Sequence, residues 1–210
     1  MIAVIDYEAG NQTSVCRALE SLGIPARITA DPEIMRRSEG LIFPGVGAAG
    51  QAMEHLRRKG LDQEIKNLIQ MKKPFLGICL GCQIMLEYSE ENSAETLGIL
   101  PGRTVRFDPQ VLDYEKRPIR IPHMGWNEVR LIRPCRLWEG IGPRDQFYFV
   151  HSYCPSPRED LILGRTEHGL EFTSFFGFDG LWAVQFHPEK SGPPGLRLLQ
   201  NFCAYSREAV

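Results

Sequence analysis

The sequence has no surplus of charge of either sign. Its 24 lysines and arginines face 26 aspartates and glutamates, for a net charge of −2. That balance argues against a nucleic-acid partner, which selects for a basic excess or stripe. Long apolar runs are also missing. The longest, Phe75 to Leu86, is interrupted by Gly and Gln and falls well short of the roughly 20 residues that span a bilayer. The opening Met1-Ile2-Ala3-Val4-Ile5-Asp6 has no basic leader and no small-residue cleavage site, so it does not read as a signal peptide. The expectation is a soluble cytoplasmic protein without membrane contact.

Cysteine is present but unpatterned. Cys16, Cys79, Cys82, Cys135, Cys154 and Cys203 are scattered in a way that does not resemble a secreted disulfide framework. Cys79-Leu80-Gly81-Cys82 fits C-x-x-C, which keeps a thioredoxin-like redox site open as a rival. No second Cys/His pair with ligand spacing accompanies it, so no metal is expected. Internal repeats, low-complexity segments and long linkers are absent. With 210 residues, 43% of them apolar, one domain over residues 1–210 can bury a substantial core.

What is there is an alternation of short β-branched runs with helical patterns. Ile2–Ile5, Ala26–Thr29, Gly40–Phe43 and Lys73–Ile78 read as strands. A helix capped by Asn11 or Thr13 is expected to run through Leu22 and stop at Gly23. Further helices are expected over 48–58, 61–71 and 80–88. This order predicts a parallel sheet covered on both faces. Beyond residue 100 the pattern turns to strands joined by turns, over 103–107, 119–121, 127–131, 146–150, 161–165, 172–176 and 181–185. A last helix is expected over 195–205.

Two segments carry chemistry. Gly77-Ile78-Cys79-Leu80-Gly81 has the form of a nucleophile elbow with Cys in place of Ser. A tight strand-to-helix turn projects the side chain at the carboxyl end of a sheet, at a helix N-terminus that favours thiolate. The same amides can face an oxyanion. The second segment is Gln185-Phe186-His187-Pro188-Glu189. Residues i and i+2 of an extended segment point the same way, so His187 and Glu189 can align as base and orienting carboxylate. Alone, each has a structural alternative: a buried Cys in a Gly-rich turn, and a solvated loop His. His55 and His168 carry no motif and read as structural or surface residues.

Taken together, Pro44-Gly45-Val46-Gly47, Gly77 through Gln83 and Gln185 through Glu189 resemble the triad-type, class I glutamine amidotransferases. Ile5-Asp6-Tyr7, Gly10-Asn11, His123-Met124-Gly125-Trp126-Asn127, Tyr148 through Tyr153 and His187 through Gly192 resemble the branch of that family serving histidine biosynthesis. The likeness runs from residue 2 to about residue 203. It departs at Glu8, where the family usually has Gly, at Gln12-Thr13, and at Cys82, usually a plain apolar position.

The resemblance implies a single α/β domain, flavodoxin-like, with a central mixed, mostly parallel sheet flanked by helices. It implies hydrolysis of L-glutamine to glutamate and ammonia, with Cys79 as nucleophile, His187 as acid–base and Glu189 as its orienter. Amides of Leu80 and of Gly45, Val46 and Gly47 would form the oxyanion hole. Gln83, Glu91, His151, Ser152 and Tyr153 would hold the substrate's charged end. The implied partner is a cyclase subunit with a (β/α)8 barrel, met as a heterodimer through Asn11, Trp126 and Lys190, although Trp126 also fits a core position. The isolated subunit would be nearly inactive and switched on by its liganded partner. No cofactor is required. Two other readings stay open: a glutaminase subunit of another synthase, and a non-catalytic subunit that only stabilises a partner.

Overall fold

The computed structural model describes residues 1–8 and 10–209; Ala9, within the turn expected between Asp6 and Asn11, lies outside them. β1 (Ile2–Ile5) is buried throughout because both its faces are used. Ile2 and Val4 join one core, and Ala3 and Ile5 the other, as the two-residue period of a strand requires. α1 (Gln12–Ser21), β2 (Ala26–Thr29), α2 (Pro32–Arg37) and β3 (Gly40–Gly45) follow. α3 (Ala49–Arg58) and α4 (Leu61–Gln70) lead into β4 (Phe75–Cys79) and α5 (Leu80–Gln83). The strand-rich half runs β5 (Tyr88–Ser89), β6 (Ala94–Glu95), β7 (Gly102–Arg106), β8 (His123–Glu128), β9 (Arg130–Leu131), β10 (Gln146–His151) and β11 (Tyr153–Pro157). β12 (Ile162–Glu167), β13 (Glu171–Phe178), β14 (Leu181–Val184) and α6 (Gly192–Glu208) complete the fold.

The main sheet has eight strands in the order β2-β1-β3-β4-β14-β13-β12-β9. It is parallel from β2 to β14 and antiparallel beyond. One face is covered by Val15 and Leu19 of α1 and Leu198, Leu199 and Phe202 of α6. Met53 and Leu56 of α3, with Leu61, Ile65 and Leu68 of α4, cover the other. Two small sheets, β10-β8 and β11-β7-β5-β6, stand beside the main one. The register sets Gly45 of β3 beside Cys79 of β4, and Ile78 beside Val184 of β14. Three neighbouring strands thus end together, and the carboxyl ends of parallel strands are where such sheets hold ligands.

Several elements differ from the sequence expectation. The helix expected over 80–88 stops after Gln83. The N–H groups of Leu97, Gly98, Ile99 and Leu100 take the carbonyls of Ile84, Leu86 and Met85, so the chain from 84 to 86 is satisfied from outside rather than by a longer helix. Residues 119–121 form no strand; an isolated bridge joins Leu112 to Pro118. Pro118 and Pro122 flank this stretch and have no N–H to give a ladder. The strand placed at 127–131 begins earlier, at His123, because β8 pairs with β10 along its length down to His123 and His151. α2 was not expected; Asp31 caps it by accepting from Glu33 N at 2.9 Å, with Pro at the first turn.

Candidate active site

The elbow is tight for steric reasons that can be named. A Cβ on Gly81 would lie 2.0 Å from Phe43 O, and one on Gly77 would lie 2.7 Å from Gly81 O and from Met85 Sδ. Only glycine lets β4 turn into α5 against β3. Cys79, at the corner, takes φ 54° and ψ −110°, a backbone conformation that costs about 1–3 kcal/mol and persists only where its surroundings impose it. α5 is a single turn of four residues. Its dipole is correspondingly small, and the groups facing Cys79 are neighbouring side chains.

His187 is one of them. Its ring is fully buried, and Nδ1 donates to Glu189 Oε1 at 2.7 Å. The carboxylate oxygen can only accept, which fixes the proton on Nδ1 and leaves Nε2 for the cavity. Burial opposes a charged ring. The Cys79 sulfur and Glu189 together outweigh it and lift His187 to about 10. The loop is held to β10 by His187 N–H donating to Tyr148 O (2.9 Å) and by Ser191, whose Oγ accepts from Tyr148 N–H (3.0 Å) and donates to His187 O (2.6 Å). Asn11, expected at a partner face, turns its side chain inward and donates from Nδ2 to Glu189 Oε1 at 2.7 Å.

Cys79, His187, Val46, Gly47, Leu80 and Gln83 line one cavity of about 370 Å³. Glu91, His151, Ser152 and Tyr153 close its far side, with Pro122 and Val150. Every residue expected to bind substrate therefore faces the space in front of Cys79. A larger cavity of about 830 Å³, along Glu128–Leu131 and Trp138, lies away from Cys79 and His187 and takes no part. Gln83 is buried, and its Nε2 donates to Tyr153 O at 3.0 Å and to Gln185 Oε1 at 2.9 Å. Glu91 Oε2 accepts from Ala49 N–H at 2.8 Å, capping α3 from outside because Ala48 has no side-chain cap to offer. Its other oxygen is left for the cavity.

His151 lines the cavity, but its ring has no polar atom free for a ligand. Nδ1 donates to Tyr153 O at 2.8 Å, and Nε2 accepts from His123 Nδ1 at 3.0 Å. His123 Nε2 in turn accepts from Asn127 at 3.2 Å. Each bond fixes the next tautomer, so both rings are neutral. Burial, and the neighbouring rings after it, push each of them down to about 3. Of the expected substrate-binding residues, His151 thus lines the cavity with both ring nitrogens engaged, and its Nδ1 bond holds the Tyr153 carbonyl.

Val46 N–H donates to the Tyr7 hydroxyl at 3.1 Å, and that hydroxyl lies 3.3 Å from Val46 O, to which it donates. The sequence offers Tyr7 only within the Ile5-Asp6-Tyr7 likeness and gives it no role. Gly47 sits at φ +96°, the region open to glycine. Trp126 is 54% exposed and so is not core. Its ring meets Tyr148 edge-on at 6.1 Å, and Lys190 Nζ stands 5.9 Å from the Tyr148 ring centre. The expected interface pair thus shares one exposed patch beside the His187 loop.

All six cysteines are free. Cys82 is fully buried, and burial pushes its thiol well above the usual range. A thiol held protonated is a poor partner for redox exchange. Among the described residues no His/Cys/Asp/Glu cluster is arranged to hold a metal ion, and no helix is long and apolar enough to cross a membrane.

Comparison with known proteins assigns the family. The class-I glutamine amidotransferase profile matches residues 3–205. The imidazole glycerol phosphate synthase subunit HisH of Maridesulfovibrio salexigens is 58% identical over 208 residues, covering 99% of this chain and 98% of its own. The HisH subunit of Synechococcus elongatus is 46% identical over 206 residues, covering 96% and 91%. Among solved structures, one titled as a glutamine amidotransferase superposes with a TM-score of 0.72 at 21% identity, covering 99% of this chain and all of the other. PurLQS from Thermotoga maritima superposes at 0.73 with 17% identity, covering 97% of each chain. Those two likenesses concern the fold, a single α/β domain; the matches along the sequence go further. The chain belongs to the class-I glutamine amidotransferases and, within that family, groups with the HisH subunits of imidazole glycerol phosphate synthase.

Proposed function

We propose that this chain is the glutaminase subunit of imidazole glycerol phosphate synthase, working through Cys79, His187 and Glu189. The observation that carries the reading is the convergence of the elbow cysteine, the Glu189-bound imidazole and the Gln83/Glu91 polar wall on one cavity. Its size suits a small metabolite. In this reading Glu91 and the Gln83 Oε1 atom meet the substrate ammonium, while the Ser152–Tyr153 backbone meets its carboxylate end.

Cys79 Sγ attacks the side-chain amide carbon of glutamine. The developing oxyanion is met by Leu80 N–H and by an N–H from the Gly45–Gly47 segment. His187 Nε2 delivers a proton to the amide nitrogen, the C–N bond breaks and ammonia leaves a γ-glutamyl thioester. His187 then takes a proton from water, whose oxygen displaces the sulfur and gives glutamate. Glu189, held by Asn11, keeps the imidazole in the tautomer both steps need. The ammonia passes to a cyclase subunit with a (β/α)8 barrel, docked as a heterodimer over Trp126, Lys190 and the Asn11 loop. There it reacts with a phosphoribulosyl-formimino nucleotide intermediate.

The test is co-purification with that subunit, then assay of Cys79→Ala in the complex. Glutamine-dependent turnover should vanish, while synthesis from ammonium salts persists because the partner performs it. Residual glutamine-dependent turnover above about 1% of the unsubstituted enzyme, more than loss of a triad nucleophile leaves, would refute the assignment of Cys79.

A further inference from the structure

We propose that the side-chain amide of Gln185 donates its Nε2–H to Cys79 Sγ, so that Gln185 is a further catalytic residue that holds the attacking sulfur. This deepens the reading above and rests on Cys79 being the nucleophile.

Gln185 is completely buried, and its Nε2 lies 3.6 Å from Cys79 Sγ. The orientation of that amide is fixed by a chain of contacts that begins at a backbone carbonyl. Tyr153 O can only accept, so the Gln83 atom 3.0 Å away from it is Nε2. The same nitrogen lies 2.9 Å from the next amide, which must therefore present its oxygen: this is Gln185 Oε1. The other end of Gln185, its NH2 group, is then the end that faces the sulfur. Flipping Gln185 would set two NH2 groups against each other in a site closed to water, which costs an unsatisfied buried donor.

Strand geometry explains why this residue reaches the site. Trp182, Val184 and Phe186 pack in one core, while Leu181 and Ala183 pack in the other. Gln185 continues the second series, and His187 follows it. β14 ends at Val184, the chain bends at Gln185 and Phe186, and Glu189 sits in a 3-10 turn over Pro188–Lys190, so one short stretch of chain carries the sulfur's amide donor, the imidazole and the carboxylate. The contact matters because α5 is a single turn and supplies little dipole. A fixed amide N–H aimed at a buried sulfur does what solvent would otherwise do for the thiolate, and a hydrogen bond to a charged group is among the stronger ones.

The test is the pH dependence of Cys79 alkylation by iodoacetamide in the full-length chain, with the labelled site read by mass spectrometry. Gln185→Met conserves volume and removes the donor. Its alkylation midpoint should rise by about 1–2 pH units, the range expected for one hydrogen bond to a charged group. In the complex, kcat should fall by about tenfold or more while KM for glutamine stays within about threefold. A folded Gln185→Met with an unchanged midpoint and kcat overturns the proposal. So does a loss confined to KM, which would mean that Gln185 serves only Gln83. Should the variant not fold, the unsubstituted protein still decides: a side-chain amide resonance of Gln185 must titrate with Cys79 ionisation and stop doing so in Cys79→Ala, and a resonance indifferent to that ionisation overturns the proposal. If Cys79→Ala itself retains glutamine turnover, it is the functional reading that fails.

Discussion

Tyr7 is the sharpest place to perturb the oxyanion side of the site. Its ring is buried and stacked on Phe43, with centres 4.8 Å apart. Burial, before any other influence, pushes its hydroxyl far above the ordinary tyrosine range, so it stays an O–H. That hydroxyl accepts from Val46 N–H and donates to Val46 O. An N–H spent on Tyr7 is not available to a tetrahedral intermediate. Glycines flank Val46, and Gly47 already has positive φ, so the two peptide units that meet at Val46, one carrying this N–H and the other its carbonyl, have a second orientation open to them.

Tyr7→Phe keeps the ring and its stacking and removes only the clamp. Two hydrogen bonds of about 0.5–1.5 kcal/mol each are lost, about 1–3 kcal/mol together. That changes the balance between two orientations by about 5–150-fold. An oxyanion donor is worth about 10²–10³ in kcat, so it limits the gain only at the top of that range. The isolated chain should therefore release glutamate at least about fivefold faster, with KM within about threefold because Gln83 and Glu91 are untouched. Activation by the liganded partner should shrink by the same factor. The assay is steady-state glutamate production by the purified chain, alone and with the partner and its nucleotide. A folded Tyr7→Phe with unchanged or lower basal kcat would refute the argument that this hydroxyl withholds the donor.

Two further outcomes follow from the buried groups. Cys82→Ala should keep glutaminase activity within about threefold, as a packing position does; a loss as deep as that of Cys79→Ala would revive the C-x-x-C redox reading. The neutral His123–His151 pair should make the fold acid-sensitive. An unfolded imidazole binds a proton near pH 6.5, whereas burial and the adjoining rings hold these two down to about 3. Their contribution is complete above pH 6.5 and drains away as pH falls toward 3, by up to about 1.4 kcal/mol per pH unit for each ring. His187, lifted to about 10, opposes this slope near pH 7, where the unfolded imidazole is still mostly neutral, and adds little below about pH 6, where it is protonated in both states. Urea melts from about pH 7 to about pH 5 read the slope, and a flat profile would contradict the neutral network.

The parallel half of the sheet was legible because burial on both faces leaves a mark in composition. Ile2–Ile5, Gly40–Phe43 and Phe75–Ile78 are near-continuous apolar runs, and each became a strand within a residue or two. Other features were hidden for definite reasons. The end of α5 is decided by N–H groups more than ten residues further on, which no local propensity encodes. α2 is polar along most of its length, so periodicity is silent and only the Asp31-Pro32 cap speaks for it. β5 and β6 are two residues each, too short to carry a period, and β11 contains two prolines, which argue against a strand until its edge position is known.

The site divides along the same line, by whether its contacts are made within one element or across the chain. The elbow and the His187–Glu189 pairing are short-range, and the sequence names both, although a 3-10 turn over Pro188–Lys190 rather than the expected extended alternation brings the pair together. Gln185 lies one residue past β14 and two before His187, so its nearness to the site was legible in principle; what the sequence could not supply was the orientation of its amide, which depends on Tyr153 O through Gln83. Asn11 lies 178 positions from Glu189, and Tyr7 lies 39 from Val46. Neither contact has any local signature. Both come from the segment after β1, which the register of the sheet brings against β3 and the loop after β14. Glu189 and Val46 are therefore both held by side chains from the stretch that follows β1. A partner docking over Asn11, as the proposed function requires, would press on that segment, and through Tyr7 on the peptide that Tyr7→Phe is designed to release.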